Sequence, residues 1–189
     1  GISTYPTNAY DINGTWDTTR STDWQKELIG GTAEYNTIQT SISGGNTAFN
    51  YTVNGTHHEE TTVYPGEFKY LKNAVHLALN YKDKKFNFLF TGNYSNQNNN
   101  QPSTDLTTVA RELAPNAPAL YDENGQLNWA NNTWTNPLAS LESKFLSKID
   151  NLTANMMLSY AILPELTFKT NLGFTQLHSR ELRTFPSTM

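Results

Sequence analysis

Cysteine is absent from this 189-residue chain, which excludes a disulfide framework, a thiolate metal site and a cysteine nucleophile. Charge is scarce as well. Only 16% of the residues are charged and the net charge is −4, so the basic footprint of a nucleic-acid-binding protein is missing. No apolar run approaches the roughly 20 residues that a membrane-spanning helix requires. We therefore expect no nucleic-acid partner and no transmembrane helix.

The sequence also lacks a pattern that predicts catalysis. A catalytic site needs a nucleophile, a base and an acid that converge. Asp122 and Glu123 adjoin a turn and point apart, and the remaining candidates are histidines scattered along the chain: His57, His58, His76 and His178. The sequence predicts a protein that is not an enzyme, with no catalytic residue, no metal site and no cofactor.

What the chain does contain is alternation with a period of two, which is typical of β-strands. Ile38, Thr40 and Ile42 alternate with polar residues before Gly44-Gly45-Asn46, and Phe49, Tyr51 and Val53 alternate after it. Glycine and asparagine tolerate the backbone angles of tight turns. We predict a β-hairpin with strands at 34–43 and 47–58 and one apolar face.

The same pattern recurs twice. Strands are predicted at 70–82 and 85–97, and at 152–162 and 166–175, where the turn is Pro164-Glu165. Another strand is predicted to begin within 143–149. Asn96 to Pro102 consists almost purely of Asn and Gln, and we expect it to be a solvated loop.

Short helices are predicted at 23–29, with Ser21 or Thr22 as the N-cap and Gly30 as the end, and at 105–113, before Pro115. The chain then divides into segments along its length. These are a lead-in with a short helix at 1–32, the first hairpins at 33–97, a long loop at 98–142, a further hairpin at 143–178, and a run-off into a loop at 179–189.

Long antiparallel strands with one apolar face allow two architectures. In a β-sandwich two sheets bury their apolar faces against each other. In a membrane barrel the apolar face meets lipid and the polar face lines a wet lumen. The predicted strands, about 10–13 residues long, exceed the ~5–6 of globular sheets and approach membrane length. Short turns alternating with long loops also favour a barrel. The sandwich remains an alternative.

Several motifs resemble those of one family. Ser21-Thr22-Asp23-Trp24-Gln25-Lys26-Glu27, followed by Ser41-Ile42-Ser43-Gly44-Gly45, is similar to the start of the barrel in SusC/RagA-type TonB-dependent outer-membrane transporters of Bacteroidetes. Residues 110–132, Asn136-Pro137-Leu138-Ala139 and residues 163–174 also resemble the N-terminal half of that barrel. The order and spacing of the motifs make the resemblance specific, and it covers roughly the whole chain.

The resemblance implies a fold, a location and a set of partners. The family forms a 22-stranded barrel closed by a plug in the Gram-negative outer membrane, and a SusD-like lipoprotein caps it. It imports glycans or peptides with energy from the TonB complex. This sequence contains no signal peptide, TonB box or plug, so we expect a barrel fragment, with Gly1 left from a tag, that does not transport alone. In the parent protein, loop 98–142 would face outward.

An incomplete barrel exposes two sheet edges and an apolar face, which recruit other chains. We expect the isolated fragment to fold over on itself as a sandwich or to pair with a second copy. Either arrangement would bury the large apolar side chains of the face, namely Phe86, Phe88, Leu158, Phe168 and Phe174.

Aromatic residues in the long loop suggest ligand contacts. Trp129 and Trp134 flank a polar tetrapeptide, and Tyr121 lies nearby. An exposed aromatic ring can stack on a sugar, although a buried tryptophan more often anchors a loop. Tyr121, Trp129 and Trp134 are the candidate ligand-binding residues, and a secreted β-sandwich carbohydrate-binding module is the alternative function.

Overall fold

The computed structural model describes residues 5–185, which form one β-sheet with helices and irregular segments at one of its ends. The regular elements are α1 (Trp24–Ile29), β1 (Tyr35–Gly45), β2 (Phe49–Thr61), β3 (Lys69–Lys82), β4 (Phe86–Pro102), α2 (Thr107–Glu112), 3₁₀ helices at Ala130–Asn132 and Pro137–Glu142, β5 (Lys144–Leu163) and β6 (Leu166–Thr184).

All six strands pair with their neighbours in sequence, so the sheet is an antiparallel meander in the order β1-β2-β3-β4-β5-β6. The all-β prediction with short helices is confirmed. The register places the predicted apolar residues opposite one another, as in the row Val53, Leu77 and Gly92 across three strands. The sheet is open, because β1 and β6 do not pair with each other within the described residues.

The connections differ in length at the two ends of the sheet. Three short turns, at 46–48, 83–85 and 164–165, join the hairpins at one end, which we call the turn end. At the other end, the loop end, the lead-in, the 62–68 segment and the 103–143 segment enter or leave the strands. Short turns on one side and long loops on the other are typical of outer-membrane barrels.

Two predicted loops are strands. Residues 96–102 continue β4, because each pairs with β5 and most pair with β3 as well. The amide of Asn96 donates to Asp150 Oδ1 at 2.7 Å. The prediction of a run-off from residue 179 is also wrong up to Thr184, where β6 ends opposite Lys144. Residues 1–4 and 186–189, which belong to the predicted lead-in and run-off, lie outside the described residues.

The two predicted helices are present, with one correction. The N-cap of α1 is Asp23 rather than Ser21 or Thr22, since its carboxylate accepts a bond from the Lys26 amide at 3.2 Å. This arrangement satisfies one of the free amides of the first turn. Gly30 ends the helix with its N–H bonded to the Lys26 carbonyl, and α2 ends before Pro115 as predicted.

The sheet does not fold over on itself. Its six strands form one layer, and Phe168 and Phe174 stay 52% and 54% exposed, so the predicted sandwich of the isolated chain is wrong for this structure. Pairing with a second copy stays a prediction. All buried apolar residues in the described part of the chain lie outside the strands. The hydrophobic core therefore sits at the loop end.

Candidate functional site

One face of the sheet is an apolar band. Residues opposite each other in the register share a face, so each row across the sheet can be followed residue by residue. One such row contains Tyr51, Leu79, Phe90, Met156 and Leu172. The apolar band is this row together with its neighbours, from the row of Phe86, Tyr160 and Phe168 at the turn end to the row of Val75, Tyr94 and Leu152 nearer the loop end.

The height of the band matches a bilayer. In β4 it runs from Phe86 to Tyr94 and in β5 from Leu152 to Tyr160, close to the ~9–11 residues that a tilted strand needs to cross the hydrocarbon core. Tyr160 and Tyr94 mark its two borders, as the aromatic girdles of membrane barrels do. The Tyr94 hydroxyl donates to Asp150 Oδ1 at 3.0 Å, so its polar tip points away from the band.

Beyond Tyr94 the same face becomes mainly polar, although Ile38 in β1 and Leu182 in β6 also lie there. The next row toward the loop end contains His57, Asn73, Asn96, Asp150 and His178. Side-chain hydrogen bonds connect its members, including one of 2.7 Å between His57 Nδ1 and Asn73 Oδ1. The strands therefore continue past the apolar band into a polar zone, which water or lipid headgroups can solvate.

The opposite face is polar along most of its length. A central row contains Asn54, His76, Asn93, Thr153 and Thr175, and His76 Nδ1 lies 2.7 Å from Asn93 Oδ1. Amide and hydroxyl groups of this kind suit the water-filled interior of a barrel. The sheet is a single layer, so neither its apolar face nor its polar face is buried against a second sheet.

The loop-end cluster is the hydrophobic core of the molecule. It joins helices α1 and α2, the 62–68 segment and the 3₁₀ helix at Pro137–Glu142 through Trp24, Leu28, Phe68, Leu106, Ala110, Ala117, Trp134, Leu138 and Leu141. Trp24 is 3% exposed, and its indole N–H donates to the Ala114 carbonyl at 2.8 Å. The segment predicted as a long loop is therefore a packed layer that covers this end of the sheet.

A buried asparagine organises this layer. Asn136 is 1% exposed, and its amide donates to the carbonyls of Leu120, at 2.6 Å, and Asn128, at 3.0 Å. Its side-chain oxygen accepts from the Leu138 amide, which caps the 3₁₀ helix that begins at Pro137. The Asn136-Pro137 motif entered the prediction only as part of a resemblance, and the capping role of Asn136 was not predicted. The signal for it in the sequence is an asparagine directly before a proline, since these residues favour the N-cap and the first position of a helix.

The three predicted ligand residues lie in this layer but in different environments. Trp134 is buried, with its ring centroid 6.1 Å from that of Trp24 and its N–H bonded to the Asn128 carbonyl. Trp129 is half-buried next to the 3₁₀ turn. Tyr121 is exposed. The structure therefore brings them to one end of the sheet, and of the three rings only that of Tyr121 is mostly open to solvent.

Tyr121 lines a cleft of about 780 Å³ at the loop end. Its lining combines the Pro65–Phe68 segment with Gly125, Gln126 and Leu127 and with Leu138, Leu141, Glu142 and Lys144. Asn100 forms part of the floor. Its amide nitrogen donates to the Glu67 carbonyl at 2.8 Å, whereas its buried side-chain oxygen has no hydrogen-bond partner within the described residues. A cleft with an exposed aromatic ring, amides and an unused acceptor suits a polar ligand.

A second, smaller cleft borders a strained turn. Ala130, Asn131 and Asn132 have φ values of 42°, 56° and 63°, a left-handed conformation that is unfavourable for alanine in particular. Hydrogen bonds hold the turn, including one from the Thr133 hydroxyl to the Ala130 carbonyl at 2.7 Å. Trp16 donates to that hydroxyl at 3.0 Å and lines a cleft of about 300 Å³ beside the turn.

Titratable groups at the loop end are structural. The Tyr64 hydroxyl donates to Asp105 Oδ1 at 3.0 Å, which joins the 62–68 segment to the start of α2. Hydrogen bonds from Thr107, and then from Tyr64, lower the pKa of Asp105. Burial, and then the Asp105 carboxylate, raise the pKa of Tyr64. Within residues 5–185 no three His, Asp or Glu side chains approach closely enough to hold a metal ion.

No protein-family model matches the chain, and no curated protein sequence matches it significantly. No helix in the described residues is long and apolar enough to cross a membrane. The function must therefore be argued from the two faces of the sheet and the loop end.

Proposed function

We propose that this chain is part of the barrel wall of a TonB-dependent outer-membrane importer for glycans or other nutrients, and that it does not transport alone. The observation that supports the proposal best is the apolar band. It extends across the six strands, from Ile42 in β1 to Leu172 in β6, has the height of a bilayer core, and lies opposite a polar face. Phe168, Leu172 and Phe174 within it remain more than half exposed.

The free edges support the same proposal. Among residues 5–185, β6 has a partner only on the β5 side and β1 only on the β2 side, and nearly every side chain of β6 is exposed. Soluble proteins usually shorten, charge or cover such edges because they recruit other chains. β6 is 19 residues long and contains exposed leucines and phenylalanines. Neighbouring strands of a larger barrel would satisfy both edges, and lipid would cover the apolar band.

The loop end is then the ligand and partner side. We place it outside the cell, where a SusD-like lipoprotein would cap it, because long loops of outer-membrane barrels face outward. Tyr121 would contact an arriving glycan or peptide. Trp129 would hold the turn beside the smaller cleft, and Trp134 would support the layer from below. The TonB complex would act from the turn end.

Single-cysteine labelling tests the membrane part of the proposal, because the chain has no cysteine of its own. An environment-sensitive fluorophore is attached to L172C or F174C in the apolar band, or to N171C or T175C on the polar face, and the chains are added to phosphatidylcholine vesicles. We expect lipid-borne quenchers to quench the first two probes and spare the others. Equal quenching on both faces would contradict the proposal.

A carbohydrate-binding module remains the alternative, supported by the cleft at Tyr121. The two functions differ in what Y121A does. In a binding module it should abolish retention of the chain on immobilised oligosaccharide in the absence of any membrane. In a transporter segment it should change uptake by the parent protein and leave vesicle binding intact.

A further inference from the structure

Two basic side chains face each other just beyond the apolar band. Lys148 in β5 and Arg180 in β6 are directly opposed in the strand register, and both are exposed. Like charges in this position normally destabilise a sheet. Neither has an ion-pair partner among residues 5–185, where the ion pairs join His58 to Glu60 and Lys69 to Glu59. Within these residues the cationic pair, as we call Lys148 and Arg180, therefore makes no ion pair.

The Asp150 carboxylate on this face is already hydrogen-bonded, and these bonds, with a smaller contribution from the charge of Lys148, lower its pKa. Asp150 follows Lys148 on the same face and lies opposite His178. Its Oδ1 accepts hydrogen bonds from Asn96, at 2.7 Å, and from Tyr94, at 3.0 Å. Glu181 follows Arg180 directly, so alternation places it on the other face, opposite Ser147. An anion from outside the chain can approach the cationic pair.

The height of the pair above the band matches a layer of lipid phosphates. Leu152 is the last band residue of β5 before the polar zone, and Lys148 lies about 13 Å further along the strand, at ~3.3 Å per residue. A strand tilt of about 40° reduces this to roughly 10 Å along the membrane normal. The headgroup region extends ~5–8 Å beyond the hydrocarbon core. Lysine and arginine side chains are long enough to lean back by the difference.

We propose that Lys148 and Arg180 bind the phosphate group of a membrane-lipid headgroup. The inference rests on the proposed function, since the lipid must lie against the apolar band. A guanidinium donates two parallel hydrogen bonds to phosphate oxygens, and an ammonium adds a compact charge. One phosphate between them would relieve the repulsion across the strand pair. It would also fix the depth of β5 and β6 in the membrane.

The test compares three full chains for flotation with lipid vesicles. They are the wild type, K148Q/R180Q and the control K72Q/K169Q. The control removes the same amount of charge from the polar face, where Lys72 lies opposite Gln97 and Lys169 lies opposite Ser159. The vesicles contain phosphatidylcholine alone or with about one-third phosphatidic acid. K148Q/R180Q should bind the acidic vesicles roughly 30-fold more weakly. Each basic residue near an anionic membrane contributes ~1 kcal/mol to binding, and about 1.4 kcal/mol corresponds to a tenfold change in affinity. The control should change by less than about threefold.

Each outcome decides between the site and the function. Equal weakening in both double variants would overturn the site, because it would show only a general charge effect. Excess inorganic phosphate at constant ionic strength competes for the cationic pair but not for the apolar band, so it should weaken wild-type binding only to the level of K148Q/R180Q. Complete release would identify an ordinary anion site as what holds the chain and would also overturn the proposal. A wild type that floats with neither vesicle would overturn the proposed function and the site together. K148R/R180K, which keeps both charges, should bind as the wild type does if the site is correct, even if K148Q/R180Q misfolds.

Discussion

The sheet and the loop-end cluster solve the problem of apolar surface in opposite ways. The cluster buries its large side chains against one another, as Trp24 and Trp134 do, although the backbone around them is mostly irregular. The sheet is regular, with neighbouring strands paired along nearly their whole length, yet it leaves Leu172 57% exposed. The cluster therefore buries its apolar side chains within this chain, whereas the sheet leaves those of its apolar band exposed, and under the proposed function neighbouring strands and lipid would cover them.

A matched pair of leucines should reveal this contrast most strongly. Leu28 in α1 is 0% exposed, and Leu172 lies in the apolar band. L28A should lower the free energy of unfolding in water by about 2–5 kcal/mol because it leaves a cavity. L172A should change it by less than about 0.5 kcal/mol, as surface substitutions do. Denaturant unfolding followed by tryptophan fluorescence measures both, and equal losses would show that the band is buried in water.

Adding a membrane should reverse the order of sensitivity. L172R places a charge in the apolar band, and N171R places the same charge on the polar face of the same strand. In lipid, L172R should cost about 2–4 kcal/mol, whereas a residue facing a wet lumen should tolerate the charge. Equilibrium partitioning of the two variants into phosphatidylcholine vesicles measures the difference. Equal partitioning would contradict a lipid-facing band.

The six strands could be predicted from the sequence because alternation identifies both a strand and its two faces. The register of the sheet then places the predicted apolar residues of neighbouring strands opposite one another. The prediction failed at Asn96 to Pro102, since asparagine has low strand propensity and the strand is held there by pairing with β3 and with β5, which is more than forty positions away in the chain. The loop-end cluster was missed for a related reason. Its contacts, such as that between Trp24 and Trp134, join distant segments whose irregular backbone has no period.

A smaller effect is expected from the asparagine that holds the loop-end layer together. N136A removes two donors and an acceptor from a buried position and leaves the buried Leu138 amide without its acceptor. The carbonyls of Leu120 and Asn128 each lose one bond and keep those from the Asn128 amide and the Trp134 indole. An unsatisfied buried group costs about 1–3 kcal/mol. Denaturant unfolding should show this loss, whereas N124A, in the exposed turn before Gly125, should not. An unchanged N136A would mean that the layer is held by its apolar contacts alone.

The smallest expected effect is on how the free energy of unfolding depends on pH, through Asp105 at the loop end. Because its hydrogen bonds lower the pKa of Asp105 in the folded protein, the unfolded chain binds a proton at this residue more readily. The stabilisation is therefore complete above the unfolded pKa, near 4, and is lost as the pH falls through the folded value. Unfolding of wild type and D105N should differ in their slope with pH only below about pH 4. Y64F removes one of the hydrogen bonds and should reduce that slope without abolishing it, because the bonds from Thr107 remain. A slope that D105N leaves intact would assign the acid sensitivity to carboxylates elsewhere, and the link between the 62–68 segment and α2 would then rest on packing.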